Sequence, residues 1–168
     1  MANFSDSPNW EIHDDYYTKK STWELITPFI PQDKTIWEFC LLNSNEQSKQ
    51  YLQELGYNVV GDRDIDFLIN NLEADILVSN IPFSTEIKIK IMKRLVELDR
   101  PFIFIMNSLN IFTKYFKEIF GDKHIQLIYP THKIHYTKFV DGQLINNYKT
   151  SFYSVFVSYK IVDKDTWI

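Results

Sequence analysis

Glycine is scarce in this chain of 168 residues, with four in all, at positions 56, 61, 121 and 142. A loop that passes close beneath a nucleotide needs glycines, because any Cβ would push the backbone away from the ligand. No such cluster exists here. Cysteine is scarcer still: Cys40 stands alone, which excludes an intramolecular disulfide and fits a reducing compartment. No apolar run approaches the length of a membrane span. The first residues, Met1 to Asp6, lack the basic and apolar regions of a signal peptide, so the expectation is an intracellular, cytoplasmic protein with no membrane partner. Nor is there an excess of positive charge. A net charge of −4 gives no global basic field of the kind that binds nucleic acid by electrostatics alone, though a local patch is compatible with it. His132 and His135 lie three apart in an extended-looking segment with no carboxylate or thiol at ligand spacing, so no metal site is expected. Cys40 has no nearby histidine or cation in sequence, which leaves a catalytic thiol unsupported.

What is present is apolar and aromatic. With 45% apolar residues the chain can bury a full core, and it reads as one domain over 1–168 with a polar arm at 1–15. Trp23, Leu25 and Ile26 suggest a short helix stopped by Pro28 and Pro31. Residues 35–40 and 58–62 read as strands. Between them, Ser44 with Gln47 forms a capping box and Gly56 a stop, predicting a helix over 45–55. Ile76-Leu77-Val78, within a strand over 74–80, and Phe102 to Met106 are unbroken apolar runs, the mark of strands buried on both faces. Ile87, Ile91, Leu95 and Leu98 share one face of a helix that Ser84 can cap. Asn107 or Ser108 can cap another carrying Leu109, Phe112, Phe116 and Phe120 up to Gly121. Residues 125–129 form a further strand, and a polar connection containing Asp141-Gly142 leads to 151–159, a closing strand or hairpin partner. Strands alternating with helices imply an α/β fold: a mostly parallel sheet with an antiparallel closing strand and helices on both faces.

The chain is organised around Ala74 to Ser84. Its buried strand ends abruptly at Asn80-Ile81-Pro82-Phe83. In open α/β sheets ligands bind beyond the carboxyl ends of the strands, so this turn is the place to look for function. Asn80-Ile81-Pro82-Phe83 resembles the Asn-Pro-Pro-Phe/Tyr motif of S-adenosylmethionine-dependent amino-methyltransferases. With Trp37-Glu38, Tyr51 to Gly56, Asp64 to Phe67, Pro101 to Ile105 and Thr113 to Phe116 in the same order, the chain is similar to the small viral and phage adenine-N6 methyltransferases. The resemblance covers most of the sequence and implies a single Rossmann-like class I methyltransferase domain. It further implies that Asn80 and the Ile81 carbonyl hold the exocyclic amine of adenine, that Pro82 stiffens the turn, and that Phe83 stacks on the base.

At the cofactor the sequence departs from that family. The glycine-rich loop expected after the first strand is replaced by Glu38-Phe39-Cys40-Leu41-Leu42-Asn43-Ser44-Asn45, without a glycine. The resemblance implies that Glu38 and Asn43 line any remaining cofactor pocket. It gives Asp62 or Asp64 the ribose hydroxyls, and Asp66 with Phe67 the cofactor adenine. Leu41 and Leu42 carry bulk where that ligand needs room. Tyr17-Thr18, before the first helix, resembles the entrance segment that covers the cofactor. Lys88, Lys93 and Lys133, with Lys90, Arg94 and Lys138, are candidates for phosphate contact, and Tyr16, Tyr17, Tyr129 and Tyr136 offer stacking surfaces. Two readings stand. One is a degenerate methyltransferase fold without cofactor, a pseudoenzyme that binds nucleic acid or protein inside a larger assembly. The other is an active adenine-N6 methyltransferase using S-adenosylmethionine on a flipped or terminal purine of DNA or RNA.

Overall fold

A computed structural model describes residues 16–41 and 46–168. In chain order the elements are β1 (Tyr16–Tyr17), α1 (Lys20–Glu24), β2 (Thr35–Glu38), α2 (Gln47–Glu54), β3 (Asn58–Val60), β4 (Ile76–Asn80), α3 (Thr85–Leu98), β5 (Phe102–Asn107), α4 (Lys114–Phe120), β6 (Ile125–Tyr129), β7 (Tyr136–Val140), β8 (Gln143–Tyr148), β9 (Ser154–Tyr159) and β10 (Thr166–Trp167). Seven strands form one sheet in the order β10-β6-β9-β5-β4-β2-β3, and β1, β7 and β8 form a second, smaller sheet. Strands β3, β2, β4 and β5 run parallel to one another, while β9 runs antiparallel between β5 and β6. The antiparallel strand foreseen near the C-terminus is therefore interior rather than marginal.

Side-chain alternation along the strands divides the core in two. Leu77, Phe102, Phe104 and Met106 point to one face, where they pack with Ile87, Ile91 and Leu95 of α3 and Phe116 and Phe120 of α4. Ile76, Val78, Ile103 and Ile105 point to the other, against Trp23, Ile26, Leu52 of α2, Ile134 and Tyr136. The unbroken apolar runs follow from this two-sided burial, since neither face of a central strand meets water.

Several expected boundaries move. The helix predicted over 45–55 spans 47–54, and the capping serine, Ser44, lies outside the described residues, as does the 1–15 arm. Gly56, at φ 97°, does terminate it. The strands expected over 35–40, 58–62 and 74–80 run over 35–38, 58–60 and 76–80. The single helix expected from Asn107 to Gly121 is two elements, a short 3-10 segment Ser108–Phe112 and α4. Asn107 accepts from the Leu109 N–H and Thr113 from the Phe116 N–H, so two caps compete where one was expected. In consequence Leu109 and Phe112 leave the apolar face and are 66% and 82% exposed. The polar connection before β9 is a hairpin, β7–β8, closed by Asp141 (φ 50°) and Gly142 (φ 77°) in the left-handed conformation that a two-residue hairpin turn requires.

Candidate functional site

β4 ends at Asn80, between the carboxyl ends of its parallel neighbours β2 and β5. Asn80 Nδ2 donates to the Tyr16 carbonyl at 3.0 Å. A carbonyl only accepts, so this bond fixes which end of the Asn80 amide is nitrogen. Asn80 Oδ1 is buried and has no hydrogen-bond partner among the described residues. Buried acceptors are nearly always satisfied, and Asn80 Oδ1 shares this state with Thr18 Oγ1, Trp23 Nε1 and His135 Nδ1 among the described residues. Ile81 and Pro82 are buried and hold the turn, and Phe83 stands half-exposed beyond it.

The Phe83 ring lies 4.8 Å from that of Tyr16 and 5.2 Å from that of Phe152. Tyr136, Tyr148 and Phe152 each meet the Tyr16 ring edge-on at 5.7–5.9 Å. Lys138 Nζ sits 4.2 Å from the Tyr16 ring centroid and 5.2 Å from that of Tyr148. Tyr136 is fully buried and its hydroxyl bonds Ser154 at 2.7 Å; burial raises its titration well above the ordinary range of a phenol. Tyr16 and Tyr136 were expected near this edge, but Tyr148 and Phe152 were not. Those two lie about the hairpin that sequence reading took for a polar connection, and recognising its Asp-Gly turn was the signal that would have brought them in.

Of the acidic candidates, the carboxylates of Glu38, Asp62 and Asp66 are engaged within the protein. Glu38 is 2% exposed and accepts from Ser79 Oγ at 2.5 Å and from the Cys40 N–H at 3.1 Å. Burial pushes its carboxyl up to about 7, against the bonds from Ser79, Cys40 and Ser48. The half-buried Cys40 thiol is pushed up by desolvation and then by Glu38. Asp62 accepts from the Asp64 N–H and Asp66 from the Leu68 N–H, both as local turn formers. Asp64 is exposed. Phe67 departs from the place expected of it: fully buried, it stacks on Phe39 at 4.4 Å and meets Trp37 edge-on, so its ring belongs to the core. Asn43 lies outside the described residues.

The lysine patch does not assemble. Lys88 is 5% exposed and donates to Asn110 Oδ1 at 3.0 Å, so it is no surface phosphate ligand. Lys93 is exposed but sits nine residues beyond the Ser84 cap, roughly 14 Å along α3 away from the turn. Lys90 and Arg94 pair with Glu86 and Glu97. Lys138 is buried over aromatic rings instead of facing solvent. Lys133 does lie at the carboxyl edge, after β6, with Nζ 5.1 Å from the Tyr153 ring. Tyr17 is half-buried, paired with Thr137 in the small sheet. Among the described residues no group of three or more His, Cys, Asp or Glu is arranged to hold a metal ion, and no helix is long and apolar enough to cross a membrane.

Six chains of solved structure share this fold. One, from Pyrococcus horikoshii and provisionally assigned as an RNA methyltransferase, is 12% identical with a TM-score of 0.54, over 90% of this chain and 89% of that one. The fold is that of the class I methyltransferases. A precorrin-6y C5,15-methyltransferase from Geobacter metallireducens also matches at 12% identity, over 91% of this chain and 100% of that one, with a TM-score of 0.47. No protein-family model and no curated protein matches the chain.

Proposed function

We propose that this methyltransferase-fold protein binds an adenine base of nucleic acid at the Asn80–Phe83 turn and does not carry S-adenosylmethionine. The observation that carries the reading is the orphaned Asn80 Oδ1, an acceptor whose amide nitrogen is already committed to Tyr16. An exocyclic amine of a purine supplies the missing donor, and Phe83 supplies a stacking face. Lys133, beside Tyr153 at the same edge, is the described cation best sited for a backbone phosphate.

The cofactor this fold implies is S-adenosylmethionine, whose sulfonium supplies a methyl group when it is bound. The described residues do not fit it. Phe39 and Phe67 stack on one another where the cofactor adenine is expected, and Leu41 is 2% exposed. Lys49 Nζ donates to the Gly61 carbonyl at 2.7 Å, bridging α2 to the end of β3 across the ribose side. The Glu38 carboxylate spends its bonds on Ser79, Cys40 and Ser48, tying β2 to β4 and α2. These residues make architecture rather than a ligand site. A base-binding domain without its own chemistry acts through others, so a protein partner within a larger assembly belongs to the same proposal.

Calorimetric titration with S-adenosylmethionine, with S-adenosylhomocysteine and with adenine-containing single-stranded DNA and RNA tests it. The expected result is oligonucleotide binding that Asn80→Ala weakens at least tenfold, and no binding of either cofactor form at millimolar concentration. Micromolar cofactor binding that weakens on Asp64→Ala or Asp66→Ala would overturn the cofactor half and restore an active adenine-N6 methyltransferase.

A further inference from the structure

The ring that touches Phe83 most closely belongs to the protein. Tyr16 lies against Phe83 and is edged by Tyr136, Tyr148 and Phe152, with the Lys138 ammonium 4.2 Å from its centroid. A flat aromatic ring between a phenylalanine and a cation is the arrangement a nucleobase would adopt in such a site. The Tyr16 backbone does a different job from its side chain. Its carbonyl orients Asn80 by accepting from Nδ2, while Oδ1 has no hydrogen-bond partner among the described residues. The Tyr16 ring fills the space beside Phe83 at a 49° tilt, and its hydroxyl does not bond Asn80 Oδ1, so the aromatic part of the site is filled and the acceptor is not. The segment carrying it is only two residues of strand, paired through Tyr16 with Lys138 and Tyr17 with Thr137.

We propose that Tyr16 is a resident stand-in for the base. Its side chain occupies the space beside Phe83, inclined at 49° to that ring, and an incoming adenine displaces it while the Tyr16 carbonyl keeps Asn80 oriented. The displaced position gives the base Phe83 and Phe152 as apolar contacts, Lys138 as a cation over its face, and Asn80 Oδ1 as acceptor for its amine. The protein thereby holds its own site closed against weak ligands, since apparent affinity falls with the fraction of molecules in which the ring has left. The inference rests on the base-binding reading above.

The test is fluorescence titration of wild type, Tyr16→Ala, Tyr16→Phe and the double variant Tyr16→Ala/Phe83→Ala with a single-stranded oligonucleotide carrying one 2-aminopurine among adenines. Tyr16→Ala should bind about tenfold tighter than wild type with stronger quenching, Tyr16→Phe should match wild type, and the double variant should lose the gain. Equal or weaker binding by Tyr16→Ala, with Asn80-dependent binding intact in wild type, overturns the stand-in role and leaves the base site standing. Absence of Asn80-dependent binding in both overturns the base-binding reading and this inference with it. A fluorotyrosine at position 16 in the otherwise unchanged chain provides a readout that needs no destabilising substitution. Its fluorine resonance should move toward that of a solvent-exposed ring on addition of the oligonucleotide, and a resonance that stays in place while the ligand binds overturns the proposal.

Discussion

Two strand ends on the same sheet edge, about one strand apart, treat their polar side chains in opposite ways. At the end of β2, Glu38 is buried with donors from Ser79 and the Cys40 amide, and the residues after it, Phe39 and Leu41, fill the space with apolar bulk. At the end of β4, Asn80 is half-buried, yet its carbonyl oxygen is left with no partner among the described residues. Ser79 links the two, donating to Glu38 from the position next to Asn80. A buried polar group that is satisfied internally holds the fold together; one held open at an energetic cost raises the question of what completes it. That contrast is why the proposed base site lies at the β4 end rather than the β2 end, although the resemblance assigns a ligand to each.

The sharpest way to break this contrast is Phe67→Ala. As a fully buried ring stacked on Phe39, Phe67 should cost about 3–5 kcal/mol of stability when truncated, read by denaturant unfolding. A loss well under 1 kcal/mol would mean that the ring lines an open pocket, and the β2 end would return as a ligand site. Next in size is the pH dependence set by Glu38. Burial pushes its folded carboxyl up from the ordinary 4.5 to about 7, so between those values the native state holds a proton the unfolded chain has released. The contribution of this group is therefore greatest below about pH 4.5 and declines as pH rises through 7, by roughly 3 kcal/mol in all. Glu38→Gln keeps the shape without the charge and should flatten that decline in melting curves taken from about pH 5 to about pH 8. An unchanged slope in the variant would show that Glu38 is not the group responsible.

At the other strand end, Asn80→Ala should cost no more than about 1 kcal/mol of stability, since it removes one hydrogen bond and also the unsatisfied oxygen. Base binding should fall at least tenfold in the same variant, a change of about 1.4 kcal/mol. A large stability loss with unchanged binding would make Asn80 structural, like Glu38. The smallest effect expected separates two lysines. Lys133→Ala should reduce the salt dependence of oligonucleotide binding by about one phosphate contact, whereas Lys93→Ala, far along α3, should leave it unchanged. Equal slopes for the two variants would remove Lys133 from the interface.

Much of this was legible in advance because it depends on local pattern. The runs at 76–78 and 102–106 announced strands covered on both sides, and the break after Asn80 marked a carboxyl strand end. The Asp141-Gly142 turn was equally legible but was outweighed by the polarity of its flanks: β8 is almost wholly exposed, and so lacks the apolar alternation by which strands are recognised. The two-element segment from Ser108 to Phe120 was hidden because Leu109, Phe112, Phe116 and Phe120 fit helical spacing equally well whether or not the chain breaks at Thr113. Lys88 and Lys138 looked like surface cations because burial of a charge depends on neighbours that sequence spacing does not supply.

The α/β alternation, the place of the Asn80-Ile81-Pro82-Phe83 turn and the want of glycine beyond β2 are matters of residue type at short range and can be read along the chain. That Tyr16, sixty-four residues before Asn80, covers the turn, and that Phe83, Tyr148, Phe152 and Lys138 gather around its ring, follows from folding alone. The same holds for the Glu38 carboxyl, which is consumed inside while the Asn80 oxygen is not. The physical reason is that hydrogen-bond satisfaction and burial are properties of which distant segments meet, and chain order alone does not specify those meetings.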